Sequence, residues 1–570
     1  NLFRMSRWLN SFLIIALLLS CSKEPSPGGT PSNDNSINGT ALAEGINACG
    51  LIKDSSTGQG IPGVPVTDGY SYTVTDKNGV YQMVANRYCR NIYYSLPAGY
   101  KVALDSETHL PAFYSTITFD YKKLNRNDFE LTPDDSMSDE FTYVAIGDPQ
   151  VTNISHVNRY INETLADLKS TLKASQVSGK YKNVIACTMG DIVHDTPNMW
   201  TAMKSAMSGL EDSNGYFPIF QSIGNHDHDA KERTQYAAVA NYVSHFGPTD
   251  YSLNVGNVHI VTLESVICKS TTGKTWSYNG GFTATQLKWL KEDLSHVDNK
   301  ESKLIILNLH IPFREGKVSG GGLINKDKYY DDVLRLLTEF HEAHIMSGHR
   351  HFPQNWVHSD YVCRGGMPIY EHIHAAACGF FWNCHSNLDG SPNAYSIYEV
   401  KGNSIVNWVE KAVGHDMDFQ MRVYDGNQVY AGTKGYEYTW YNGGIGGTSN
   451  IKAKGYSALK GCFVTELWND DDVNWRVEFY QNGSKVADLK RVPNGQCSNA
   501  CSSSYFFNEL NKNAGDYAIS ENCHYWYYKP ESGYPSAEQN WEIRATQTIP
   551  SSGIKNVYSV TSLKKDYEGF

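Results

Sequence analysis

Between Phe141 and Trp408 the chain repeats one pattern: an apolar run that stops at a small cluster of polar, chemistry-bearing residues. F-T-Y-V-A-I is followed by G-D-P-Q, which holds Asp148 and Gln150. N-V-I-A-C-T-M leads into G-D-I-V-H-D, with Asp191, His194 and Asp195. F-P-I-F-Q-S-I precedes G-N-H-D, with Asn225, His226 and Asp227, and K-L-I-I-L precedes N-L-H, which ends on His310. The fifth cluster, G-H-R-H, carries His349, Arg350 and His351. Apolar runs this short, bounded by turn residues, read as buried strands. Helical stretches from about His156 to Ala174, from Asn198, and from Thr283 to Leu294 separate them, so the class is α/β (α+β). Each cluster falls at or just beyond the C-terminal end of a predicted strand. In an α/β sheet those ends meet along one edge, where residues distant in sequence become neighbours.

The atoms in these clusters narrow the chemistry. Asp148, Gln150, Asp191 and Asn225 offer oxygen; His310, His349 and His351 offer imidazole nitrogen. Mixed oxygen and nitrogen donors without thiolate suit Mn, Fe, Zn, Mg or Co rather than copper(I) or an iron–sulfur cluster. The donors are too many for one ion with an open position. They suit two divalent ions about 3.5–4 Å apart that share a carboxylate, grip a phosphoryl group and lower the pKa of a bridging water. Taken singly, an Asp after Gly is an ordinary turn residue, and His259, His344 and His372 read as packed or solvated histidines. His194 and His228 neighbour the clusters.

The ordered set G-D, G-D, G-N-H-D, H and G-H-x-H resembles the calcineurin-like metallophosphoesterase superfamily, over roughly Phe141 to Trp408. The resemblance implies a β-sandwich flanked by helices. It implies that Asp148, Gln150, Asp191 and His351 hold one metal and that Asp191, Asn225, His310 and His349 hold the other, with Asp191 bridging. His226 would protonate the leaving oxygen and Asp195 would orient it. Gln150 departs from the family, whose first motif reads D-x-H. An amide oxygen is a weaker and harder donor than imidazole, so the first site is expected to bind loosely or to prefer Mn or Mg. Arg350, between two ligands, and Trp382 and His385, in G-F-F-W-N-C-H-S-N-L-D-G-S-P-N, are candidate substrate contacts.

The flanks read differently. Arg4 and Arg7 precede an apolar run from Trp8 to Leu19, then Ser20-Cys21. The run is short for a bilayer span and has the form of an export signal over residues 1–21. L-L-S-C resembles a bacterial lipobox, which implies a diacylated Cys21 and anchoring in the outer membrane of a Gram-negative bacterium, on its periplasmic or cell-surface face. Residues 22–44, rich in Ser, Pro, Gly and Asn, read as a disordered linker. Residues 45–133 alternate in short, turn-broken strands and resemble an Ig-like or transthyretin-like β-sandwich; T-D-K-N-G-V-Y (Thr75–Tyr81) sets an Asn-Gly turn between two strands. The catalytic domain is expected over 141–410 and a C-terminal β-rich domain over 413–570.

A net charge of -11 and the lack of a dense basic run argue against nucleic acid as a partner. A phosphate-bearing small molecule or head group remains compatible, because bound cations supply local positive charge. Of 12 cysteines, 11 remain beside Cys21, so at least one thiol is unpaired in a monomer. Cys378 with Cys384, and Cys497 with Cys501, are close enough in sequence to pair. No C-x-x-C doublet marks a zinc ribbon, and the cysteines read as structural.

The expected activity is metal-dependent hydrolysis of a phosphate mono- or diester, with a bridging hydroxide as nucleophile and His226 as general acid. The alternative is a cell-surface glycan- or polymer-binding lipoprotein with a vestigial metal site. Gln150 and the two flanking β-rich domains motivate it, and the other intact ligand positions weigh against it.

Overall fold

The computed structural model describes residues 35–563, apart from 118–122, 213–214, 270–276, 315–328, 388 and several stretches between 427 and 539. The leader, Cys21 and most of the linker therefore lie outside the described residues, as does Cys501. Among the described residues no helix is long and apolar enough to cross a membrane.

Eleven strands build the central domain: β1 (Glu140–Ile146), β2 (Val184–Thr188), β3 (Ile219–Gln221), β4 (Tyr251–Val255), β5 (Val258–Thr262), β6 (Leu304–Asn308), β7 (Glu342–Ser347), β8 (Gln354–Val362), β9 (Pro368–Ile373), β10 (Ala394–Lys401) and β11 (Ser404–Ala412). They form two sheets, in the orders β3-β2-β1-β10-β11 and β4-β5-β6-β7-β9-β8. In the first, β1, β2 and β3 run parallel. In the second, β5, β6, β7 and β9 run parallel. Period-two alternation decides what each face meets. Tyr143, Ala145, Ile185 and Cys187 face the second sheet, and Tyr143 donates its hydroxyl to Asn308 Oδ1 across the gap at 2.7 Å. Val144, Ile146, Val184 and Ala186 face the other way, onto helices at Ile154–Ser178, Trp200–Met207 and Ala240–Phe246. Each fully buried Val, Leu or Ile contributes about 1.5–3 kcal/mol, so both faces of the first sheet are strongly anchored.

The helices obey local signals. Asn153 caps the first, its Oδ1 accepting from His156 N at 3.1 Å. A single π-turn at Tyr160–Leu165 interrupts it. The helix Ala284–Ser295 starts at a reciprocal box, in which Thr283 Oγ1 accepts from Gln286 N at 3.2 Å and Gln286 Oε1 accepts from Thr283 N at 2.9 Å.

Among the described residues the N-terminal domain has a five-stranded and a four-stranded sheet beside one two-stranded pair. The linker expected to stay disordered to residue 44 is ordered from residue 35. Ser36–Ile37 pairs with Thr40–Ala41, because Ile37 buries against Cys49 and Val80. The Asn78-Gly79 turn lies between strands as expected, but Tyr72–Val74 and Val80–Met83 belong to different sheets. The turn is a crossing between layers and not a hairpin; Asp76 Oδ1 holds it by accepting from Asn78 N and Val80 N at 2.9 and 3.0 Å. C-terminal to the central domain, two four-stranded sheets enclose Val423, Phe463, Val477, Phe479 and Ile543. Cys378 is an unbridged thiol, so the bridge to Cys384 does not form.

Candidate metal centre

The polar clusters follow β1, β2 and β3 of one sheet and β6 and β7 of the other. The expected single sheet edge is therefore a rim where the C-terminal ends of two facing sheets converge. Six clustered residues leave the strands with left-handed backbone: Asp148 (φ 37°), Gln150 (38°), Asp191 (50°), Asp195 (54°), His349 (69°) and His351 (59°). Such conformations cost of order 1–3 kcal/mol each and persist only where the surroundings impose them. The imposing contacts are visible. Gln150 N donates to Asp191 O at 2.8 Å. His226 N donates to Asp191 Oδ1 at 2.8 Å. His349 N donates to both Asp148 oxygens at 3.1 and 3.0 Å. Asp227 ties down its own loop, accepting from Val193 N at 3.0 Å and Gly224 N at 2.8 Å. Two motif glycines are there for clearance: a Cβ on Gly224 would lie 2.2 Å from Asp191 Oδ1, and one on Gly348 2.4 Å from Asp148 Oδ2.

At the rim two donor sets meet. The ligand atoms of Asp148, Asp191 and His351 lie within 4.8 Å of one another, and so do those of Asp191, His310 and His349. Asp191 belongs to both. Gln150 Nε2 donates to Asp191 Oδ2 at 2.7 Å, while its Oε1 is buried without a hydrogen-bond partner. His310 Nδ1 donates to Met189 O at 2.7 Å. That bond turns its Nε2 toward Asn225 Oδ1 at 3.0 Å and Asp191 Oδ2 at 3.3 Å. An imidazole anchored through one nitrogen with the other aimed at oxygens is how metal-binding histidines are held.

The electrostatics fit a cation. Burial pushes Asp148 up to about 8 against the opposing charge of His310. Burial lowers His310, yet the Asp191 carboxylate overcomes it and lifts the ring to about 9. Asp191 is itself held far below the carboxylate range, burial being outweighed by the His310 charge. Burial and His310 drive His349 well below its ordinary value, and burial takes His351 down to about 4. The lowered His349 and His351 rings offer free lone pairs, and with an orphaned amide oxygen and buried carboxylates they suit two divalent ions.

Residues 141–353 match the model of the calcineurin-like phosphoesterase family; residues 47–134 match that of the N terminal of calcineurin-like phosphoesterase, and residues 371–550 that of its C terminal. The chain belongs to the calcineurin-like metallophosphoesterase superfamily. Its two Asp/His clusters are consistent with a dinuclear phosphoesterase active site. None of the curated proteins matches this chain. Among solved structures it is similar to a purple acid phosphatase isolated from yellow lupin (Lupinus luteus) seeds, at 13% identity and a TM-score of 0.31, covering 48% of this chain and 54% of that one. The chain thus spans about half the length of that relative.

Beside the two clusters, His226 Nδ1 lies 3.1 Å from Asp195 Oδ2, and its ring stacks on His194 at 3.9 Å. Burial lowers the His226 pKa, but the Asp195 hydrogen bond and the Asp191 charge raise it above the ordinary value. The substrate candidates are placed differently. Trp382 is buried and donates its indole N–H to Pro149 O at 2.7 Å, bracing the first motif from behind. His385 Nε2 lies 3.0 Å from Arg159 Nη2 and 3.4 Å from Glu163 Oε2. The Arg350 guanidinium lies 5.3 Å from the Phe352 ring centroid. Sequence reasoning passed over Phe381, which meets His351 edge-on at 5.0 Å and His194 at 5.7 Å. Its only advance signal was the aromatic pair within G-F-F-W.

Proposed function

We propose that the protein hydrolyses a phosphate mono- or diester, using Asp148, Gln150, Asp191 and His351 to hold one divalent ion and Asp191, Asn225, His310 and His349 to hold a second. The observation that carries this is the sharing of Asp191 between two donor sets. Bound ions at such a site supply Lewis acidity toward the phosphoryl oxygens and acidify water. The chain's own residues do the rest. His226, held toward the rim by Asp195, delivers a proton to the leaving oxygen from Nε2. His194 stacks beneath it and limits its rotation. Phe381 and Trp382 wall the side of the first donor set and exclude water there.

The reading includes location. L-L-S-C at Cys21 supports a lipid-anchored protein of the outer membrane, with the chain beyond residue 22 as tether. Metabolic labelling with a palmitate analogue checks this: label on the wild type and none on Cys21→Ser is the expected result. For the activity, purified protein in Mn2+ is assayed against aryl phosphate monoesters and diesters beside a glycan pull-down. Turnover of either ester class is expected; glycan capture with no turnover overturns the reading.

A further inference from the structure

A second mixed donor set lies where the C-terminal domain meets the central one. The loop after the Trp382 turn reverses at Asp389, whose Oδ1 accepts from Ser391 N at 3.0 Å and Ser391 Oγ at 2.6 Å. Its Oδ2 points across the boundary to His524 Nε2, 2.9 Å away. The same nitrogen is 3.4 Å from Cys523 Sγ. These three ligand atoms lie within 4.8 Å of one another, and all three residues are buried. The other imidazole nitrogen, Nδ1, is 3.0 Å from Asp470 Oδ1. Asp470 is fixed in turn by Arg491 Nε at 2.7 Å and Trp526 Nε1 at 2.8 Å. The ring is thus oriented from behind by a carboxylate, with Nε2 presented to an acid and a thiol.

An independent observation concerns Glu410, at the end of the last strand of the first sheet. It is 2% exposed, and its Oε1 has no hydrogen-bond partner. Burial raises its carboxyl well above the ordinary range, with His524 and Asp389 the two charges that act on it. A buried oxygen without a partner is costly unless a nearby group compensates it. A tetrahedral ion with bonds of about 2.0–2.3 Å sets its ligands about 3.4–3.6 Å apart, close to the Cys523–His524 separation.

We propose that Asp389, Cys523 and His524 supply three ligands of a buried structural Zn2+ site that pins the C-terminal domain to the central domain. Buried sulfur, nitrogen and oxygen donors together favour Zn2+. The carboxylate behind the imidazole is its orienting partner. The site is separate from the dinuclear rim, which has no thiolate, and it stands whether or not the phosphoesterase reading does.

That difference in donors supplies the test. The full-length chain is produced in Co2+-supplemented medium, and its absorption spectrum is recorded together with total metal. The wild type is expected to show thiolate-to-Co2+ charge transfer in the near ultraviolet. Cys523→Ser is expected to lose that band and about one metal ion per chain, keeping its phosphatase activity. Asp191→Ala is expected to keep the band while losing activity. A Co2+-containing wild type with no charge-transfer band overturns the proposal, and leaves the metal-free imidazolium between Asp389 and Asp470. So does a band that survives in Cys523→Ser. If that variant does not fold, the wild-type spectrum alone decides.

Discussion

His226 and Asp191 touch through the backbone, His226 N donating to Asp191 Oδ1, yet their side chains have separable jobs. His226→Ala removes the imidazole and leaves both donor sets intact. Hydrolysis of an unactivated ester is expected to fall by about 10²–10⁴-fold, with metal content by mass spectrometry unchanged. A loss of less than about threefold removes His226 from proton transfer. Asp191→Ala takes a ligand from both sets at once, so metal and activity should vanish together. Gln150→His tests the departure from the family motif. The imidazole is the softer donor, so the variant is expected to retain more Zn or Fe through dialysis than the wild type. Equal retention means that position 150 does not face the ion.

At the scale of strands, loops and helices, the tight turns after β2, β3 and β7 do the positioning. Gly348→Ala would set a methyl carbon 2.4 Å from Asp148 Oδ2. The expected outcome is a wild-type far-ultraviolet circular dichroism spectrum with metal binding and turnover lost; retained turnover would mean that the loop gives way. Much at this scale was legible. The motif residues stand at strand ends because apolar runs and turn residues are local signals, and the Thr283 box is read within four positions. What the sequence hid is which sheet a strand joins. β3 and β6 have the same apolar character, and only their pairing divides the donors between two sheets. Equally hidden was the role of Trp382, whose partner Pro149 is 233 positions away. Placed in a loop rich in Gly, Asn and Ser, the indole reads from sequence as a candidate substrate contact, and its N–H braces Pro149 O from a buried position.

The whole molecule is tied together by polar contacts between its parts. Tyr93 of the N-terminal domain donates to Asp250 O at 2.6 Å, and Tyr72 donates to Asp293 Oδ1 at 2.9 Å. On the other side, Tyr370 donates to Asp471 Oδ2 at 2.5 Å. At the first of these junctions, burial, with the Glu264 charge behind it, pushes the Asp250 carboxyl from 3.8 to about 7. A carboxyl whose folded pKa lies above its unfolded value binds its proton more tightly when folded. Its contribution to stability therefore falls as pH rises from about 4 to about 7 and is level above. Asp250→Asn keeps the Oδ1 acceptor used by Glu264 N and Gln286 Nε2 and cannot ionise. The urea midpoint of the variant relative to the wild type is expected to climb across that pH window, and a constant difference would show that Asp250 does not titrate there. The three-part layout was visible in composition and turn density. The junctions were not, because they join side chains from different domains.

The most direct test of the shared carboxylate is anomalous diffraction from crystals grown in Mn2+. Two peaks about 3.5–4 Å apart are predicted, one against Asp148, Gln150 and His351 and the other against Asn225, His310 and His349, with Asp191 touching both. A single peak, or a pair that Asp191 does not join, would contradict the account.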